Sequence, residues 1–352
     1  MSKNIIVCCD GTGNQIDETY SNVVKIFSVL PQSRTQIAFY DPGVGTLTDP
    51  NVLIPLGKKI DQIWGVAFGF GLIKNVAEAY TYLINYYEPG DKIFFFGFSR
   101  GAYTVRVLAG LICKIGLLRK GCDNLIPYAI KAYEVSYKPE NERITKRFKE
   151  TYSHDIHIDF MGVWDTVTSI GLFNSRSLPK TTTNPCIKKI RHAVAIDEKR
   201  AYYRQNLFTP AFANQDIKQV WFAGVHSDVG GSYPQNQSGL SQISLAWMIA
   251  EARQCGLEIN QDKYDDIVLD KTNHGLKGPD QNQPVHQSLS GAWWILEVLP
   301  RRKRREKRYF IPLARPRTIF SNSLIHQSVF DKMKSDSSYN PPNIPPEYVI
   351  EK

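Results

Sequence analysis

The chain has 352 residues, 42% hydrophobic, 12% aromatic and 22% charged, a balance that fits a globular core and excludes a disordered, collagenous or coiled-coil chain. No run approaches about 18 uninterrupted apolar residues, the length a membrane-spanning helix needs, and residues 52–73 are broken by Gly57, Lys58, Lys59 and Asp61. The net charge of +9 is largely local, because Arg301-Arg302-Lys303-Arg304-Arg305-Glu306-Lys307-Arg308 carries seven of the 43 basic residues and its removal would leave +3.

The apolar residues before Asp10 are shorter than the h-region expected of a secretory leader, and they read as a strand, Asn4–Cys9. The expectation is a cytoplasmic protein, with peripheral attachment to a membrane or export by a dedicated secretion system as alternatives. Further strands are expected at Thr35–Tyr40, Lys92–Phe96, Ile156–Val163, Ile190–Ile196 and Gln219–Gly224. Helices are expected at Val23–Leu30, Ile73–Tyr87, Ala102–Ile115, Pro127–Tyr137, Glu142–Tyr152, Arg200–Asn206 and Ser241–Cys255. This alternation predicts an α/β fold with a mostly parallel central sheet flanked by helices. The Gly- and Pro-rich residues 41–72 read as a loop packed over that sheet. Past Cys255 the rhythm is lost, so residues 1–255 read as the core and 256–352 as a C-terminal peripheral, lid-like segment of one continuous domain. The six cysteines include no CxxC pair, and Cys8 and Cys9 point to opposite faces of a strand, as reduced core thiols would.

Gly97-Phe98-Ser99-Arg100-Gly101 follows the buried run Ile93–Phe96 and precedes a helical stretch. That is the strand–turn–helix context of a nucleophile elbow, in which the glycines let backbone pass and the serine hydroxyl is raised above the sheet. A serine nucleophile needs a histidine base and an orienting carboxylate, in the chain order Ser, Asp, His. Of the seven histidines, His226 lies in the Gly-rich loop after a strand and is the preferred base, with His326 the alternative. Asp165, at the end of Phe160-Met-Gly-Val-Trp-Asp165, is the preferred acid and Asp197 the alternative. The N–H of Arg100 and that of Gly11 or Thr12, in Asp10-Gly11-Thr12-Gly13-Asn14, are the candidate oxyanion donors.

Cys9–Asn14, Gly97–Tyr103, Gly162–Val167, Gly224–Tyr233 and Ile325–Val329, in that order along the chain, resemble the α/β-hydrolase family that contains the GxSxG phospholipase effectors of bacterial type VI secretion. The resemblance implies an α/β-hydrolase-like fold, ester hydrolysis on phospholipids through Ser99, Asp165 and His226, and a cognate accessory or immunity protein as partner. It also implies that Ile325–Val329 belongs to the fold. The larger effectors carry membrane-anchoring segments, and the resemblance leads one to expect this chain to correspond to the catalytic domain.

Trp293 and Trp294, followed by Arg301, Arg302, Arg304 and Arg305, have the composition of a contact with an anionic membrane surface. No recognition motif accompanies the charge, which argues against nucleic acid. No cofactor is called for. Asp10 and Asp228 are a weak pair for a cation. Two other readings stand beside the hydrolase: an inactive α/β-hydrolase scaffold that binds a membrane or a protein, and a phosphohydrolase using Asp10, for which the usual second aspartate is missing at Thr12.

Overall fold

The computed structural model describes residues 2–11, 20–43, 60–167, 178–271, 277–291, 293–298, 300–302 and 309–352. One sheet contains β1 (Asn4–Cys9), β2 (Gln36–Asp41), β3 (Lys92–Phe98), β4 (Ile158–Trp164), β5 (Ile187–Ala195), β6 (Asp216–Phe222), β7 (Ser323–His326) and β8 (Tyr348–Glu351). Their spatial order is β8-β7-β6-β5-β4-β3-β1-β2, and every neighbouring pair is parallel. The helices are α1 (Asn22–Val29), α2 (Ile60–Tyr86), α3 (Ser99–Ile115), α4 (Ile126–Val135), α5 (Glu142–Tyr152), α6 (His226–Gly230), α7 (Gly239–Arg253), α8 (Gln261–Ile267), α9 (Trp293–Val298) and α10 (Gln327–Ser335).

A parallel sheet must be covered on both faces, so its strands read as continuous apolar runs. Along β1 the side chains alternate between two cores. Ile5, Val7 and Cys9 pack with Leu72, Val76 and Tyr80 of α2 and with Val105 and Leu108 of α3. Ile6 and Cys8 pack with Val23 and Ile26 of α1 and with Leu245 and Met248 of α7. The result is three layers, helix on sheet on helix, with Cys8 and Cys9 on opposite faces and both reduced.

Two elements differ from expectation. Residues 41–72 are not all loop: 44–59 lie outside the described residues, and from Ile60 the chain is already helical. The glycines at 65, 69 and 71 each cost a helix about 1 kcal/mol relative to alanine, which disguised this stretch, but intrinsic propensity is a weak prior beside packing. The helix expected at Arg200–Asn206 is a single 3-10 turn, Ala201–Tyr203.

Beyond residue 255 the chain returns to the sheet, adding β7 beside β6 and β8 beyond it. Ile325 and Val329 close a third apolar cluster with Val194, Ile196 and Trp221. Among the described residues, no helix is long and apolar enough to cross a membrane.

The strand order fixes where a site can form. From β1 the chain steps outward to β2 and then crosses back to β3 on the other side, so β1 and β3 flank a topological switch point. Open parallel sheets bind ligands in the crevice outside the carboxyl ends of the strands at such a point. Here those ends are Cys9-Asp10-Gly11 and Phe98-Ser99. Ile325 is fully buried, so Ile325→Ala is expected to destabilise the fold by about 2–5 kcal/mol in urea unfolding, as a core residue does. An unchanged midpoint would show that β7 is an appendage.

Candidate active site

Ser99 opens α3 with φ of 56°, a left-handed conformation that a non-glycine residue adopts only where its surroundings hold it. The flanking glycines explain the tight turn. A Cβ on Gly97 would lie 2.7 Å from the Cα of Ala102, and one on Gly101 would lie 2.1 Å from the carbonyl oxygen of Cys9. The elbow therefore rests directly against the end of β1. The helix N-cap is Phe98 and receives no side-chain cap bond, so the Ser99 hydroxyl is not spent on capping.

That hydroxyl donates to Nε2 of His226 over 2.8 Å, and Nδ1 of His226 donates to Oδ2 of Asp165 over 2.5 Å. A carboxylate only accepts, so the proton on Nδ1 leaves Nε2 of the neutral ring as the acceptor facing serine. Ser99, His226 and Asp165 are 8%, 4% and 0% exposed. The imidazole is held between the ring of Phe98 and the edge of Tyr203, each with its centroid at 4.7 Å. Asp165 too has a positive φ, 38°, at the point where the chain leaves β4.

Burial acts to raise the Asp165 pKa, and the guanidinium of Arg317 together with the His226 bond overcomes it, holding the carboxyl well below the usual carboxylate range. Arg317 reaches the acid with Nη1 on Oδ1 at 2.5 Å and Nη2 on Oδ2 at 2.9 Å, and the backbone N–H of Ala195 adds a third donor, to Oδ1 at 3.0 Å. Nothing in Ala314-Arg315-Pro316-Arg317 marks this arginine, which is 152 residues from its partner.

Two more carboxylates fix the histidine loop. Glu198 accepts the backbone N–H of His226 at 3.3 Å, a two-pronged bond from Arg200 and the hydroxyl of Ser288. Asp228 accepts the N–H of Val225 at 3.0 Å and Nδ1 of His286 at 2.6 Å, with the His286 ring stacked on Tyr233. Neither Glu198 nor His286 was singled out from sequence, since both act through loop contacts.

Of the remaining expected residues, Gly11 and Arg100 lie at the elbow, a Cβ on Gly11 falling 3.4 Å from that of Ser99, and the others belong to separate contacts. Asp197 accepts the Gly224 N–H and the Tyr339 hydroxyl. His326 stacks on Phe222 and bonds Ser328 at the start of α10, and burial lowers its pKa to about 4. The Gly11 N–H, expected to face an oxyanion, is taken by Oδ1 of its own neighbour Asp10 at 2.6 Å. Asp10 itself is fully buried, with Oδ2 accepting the hydroxyls of Ser21 and Tyr40. Asp10 and Asp228 serve separate networks, and no metal-binding cluster of three or more ligands occurs among the described residues. Arg100 directly follows Ser99 in the first turn of α3. Thr12, Arg304 and Arg305 lie outside the described residues, and the backbone of Arg301 and Arg302 pairs with Tyr309 and Phe310. Trp293 and Trp294 do not share a surface: Trp293 packs on Tyr203 and Arg200, and Trp294 is 49% exposed. Successive residues of a helix face directions about 100° apart.

A profile of the type VI secretion phospholipase effector Tle1-like catalytic domain matches residues 3–251. An uncharacterised protein of Saccharomyces cerevisiae is 36% identical over 224 residues, 59% of this chain and 33% of its own, so the chain spans about a third of that curated relative's length. A crystal structure of an uncharacterised Pseudomonas aeruginosa protein aligns over 80% of this chain and 49% of its own, with a TM-score of 0.46 and 18% identity.

Because the folded-state pKa of Asp165 is depressed, its charge stabilises the fold above the unfolded carboxyl pKa of about 3.9, and that contribution is lost as pH falls through the folded value. Asp165→Asn is expected to cost about 3–5 kcal/mol near pH 7, the cost of breaking a buried ion pair, and the gap to wild type should hold from pH 8 to 5 and narrow progressively as pH falls below about 4. A gap independent of pH in urea titrations would contradict an ionised Asp165.

Proposed function

The chain belongs to the Tle1-like phospholipase effector family, and from that membership and the geometry around Ser99 we propose that it is a serine hydrolase of carboxylic esters acting on glycerophospholipids. The observation that carries the reading is the hydrogen-bonded relay from Ser99 Oγ through His226 to Asp165 on a left-handed elbow.

In this reading Ser99 Oγ attacks the ester carbonyl while Nε2 of His226 takes its proton. The imidazolium that forms is stabilised by Asp165, which holds the ring in the required tautomer. His226 then returns the proton to the leaving alcohol, and water repeats the cycle on the acyl-enzyme. Oxyanion stabilisation falls to the N–H of Arg100, the residue after the nucleophile, with the second donor from Gly11 or Thr12 in the turn after β1. Delivery to the bilayer falls to the 294–320 region, where Trp294, Val298, Ile311, Leu313 and Phe320 are all exposed and the basic run lies among them in sequence. Apolar side chains interleaved with cations suit an anionic lipid surface.

A fluorophosphonate probe is expected to label the wild-type protein on Ser99 and to leave Ser99→Ala unlabelled; labelling at another residue, or none under native conditions, would favour the inactive scaffold. His226→Ala and Asp165→Asn should each lower kcat by roughly 10⁴-fold or more, and adding Ser99→Ala to either should cost little further. Replacing Arg301, Arg302, Arg304 and Arg305 by glutamine should weaken binding to anionic vesicles by about 1 kcal/mol per charge, with hydrolysis of a short water-soluble ester unchanged. Equal loss in both assays would place the run in the fold or the site.

A further inference from the structure

We propose that Arg317 is a positioning residue of this site, fixing the plane of the Asp165 carboxylate so that Oδ2 faces His226, and that the segment carrying it is therefore part of the catalytic unit. The inference rests on the triad reading above and extends it to residues beyond the 3–251 match.

The geometry is a fork on a fork. Both terminal nitrogens of Arg317 engage Asp165, one per oxygen, at 2.5 and 2.9 Å. A bidentate guanidinium–carboxylate pair sets an orientation as well as a charge, which a lysine, a single point charge, cannot do. Oδ1 is closed off by the Ala195 N–H and Arg317, so the carboxylate cannot turn its free edge from His226 without breaking three bonds.

Arg317 is itself held. Nη1 donates to the Ala195 carbonyl at 3.0 Å and Nη2 to the carbonyl of Tyr203, whose ring packs on His226. Its own carbonyl accepts Nδ2 of Asn343 at 3.1 Å, and that amide also binds the Ile196 carbonyl at the end of β5. The segment before β7 is thereby fastened to the site from both sides.

The charge is needed as much as the orientation. Burial alone drives a carboxyl toward its neutral form, and a protonated Asp165 could not stabilise an imidazolium. The other titratable groups around the pair are His226, Glu198 beside its backbone, and His192. His192 accepts the Thr166 N–H at Nε2, and burial, aided by Arg106, lowers its pKa to about 3, so it is uncharged at neutral pH and cannot replace the arginine.

The test uses the full chain and a short-chain p-nitrophenyl ester, with kcat and KM measured from pH 5 to 9. Arg317→Met is expected to lower kcat by about 100-fold at pH 6, the scale of a misplaced catalytic group, with KM little changed and part of the loss recovered toward pH 9. Arg317→Lys, which keeps the charge and loses the fork, should retain the wild-type pH profile with kcat reduced about 10-fold. In an Asp165→Asn background, Arg317→Met should cost less than about 3-fold more, because the arginine acts through the aspartate. Folding of each variant is checked by near-ultraviolet circular dichroism. A folded Arg317→Met with wild-type kcat and pH profile, or, where that variant does not fold, a folded Arg317→Lys with unchanged kcat, would reduce the pair to a structural ion pair. Failure of the triad reading is distinguishable, since Ser99→Ala and Asp165→Asn would then keep activity themselves.

Discussion

A fully buried carboxylate must be given donors or be neutralised, and Asp165 is given four: the Ala195 N–H, the His226 ring and both terminal nitrogens of Arg317. These donors come from β5, from the first residue of α6 and from the segment before β7. One charge thus draws together parts of the chain up to 152 residues apart. Breaking such a pair is costly, because the charge left behind has no water to turn to. The His226 loop depends on the same device twice more, through Glu198 and through Asp228 with His286. Three buried acids therefore hold one imidazole in place.

The other half of the site rests on close backbone approach. The crossover at β1 and β3 creates the crevice, and Gly97 and Gly101 let the turn enter it, with Gly101 against the Cys9 carbonyl. Left-handed backbone at Ser99 and Asp165 is strain of order 1–3 kcal/mol each, and the bonds that sustain it also aim the side chains. The aromatic contacts of the imidazole follow from the same packing. Phe98 and Tyr203 line the imidazole, and Trp293 backs Tyr203, so the first residue of α9 faces the site while Trp294 faces solvent.

What could be read from sequence was what is local. Ile93–Phe96 before GxSxG announced the elbow, and the run Phe160–Trp164 ending in Asp165 announced a strand with a carboxylate at its carboxyl end, because buried parallel strands have continuous apolar runs. Arg317 was not legible, since an arginine between Pro316 and Thr318 differs in no local way from its neighbour Arg315, and its role comes from tertiary position alone. The strands β7 and β8 are four residues each, too short for alternation to speak, although the resemblance of Ile325–Val329 pointed to that region. The start of α2 was hidden by glycines, and the bond from the Gly11 N–H to Asp10 is a side-chain event invisible to a motif.

The central claim is that an ester carbonyl carbon is the atom attacked, and the products decide it. Mass spectrometry of mixed phospholipid vesicles incubated with purified protein is expected to show free fatty acid and lysophospholipid with wild type and neither with Ser99→Ala. Diacylglycerol with a released phosphorylated headgroup would contradict the account by placing the chemistry at phosphorus, and no product at any lipid composition would leave the fold as a scaffold.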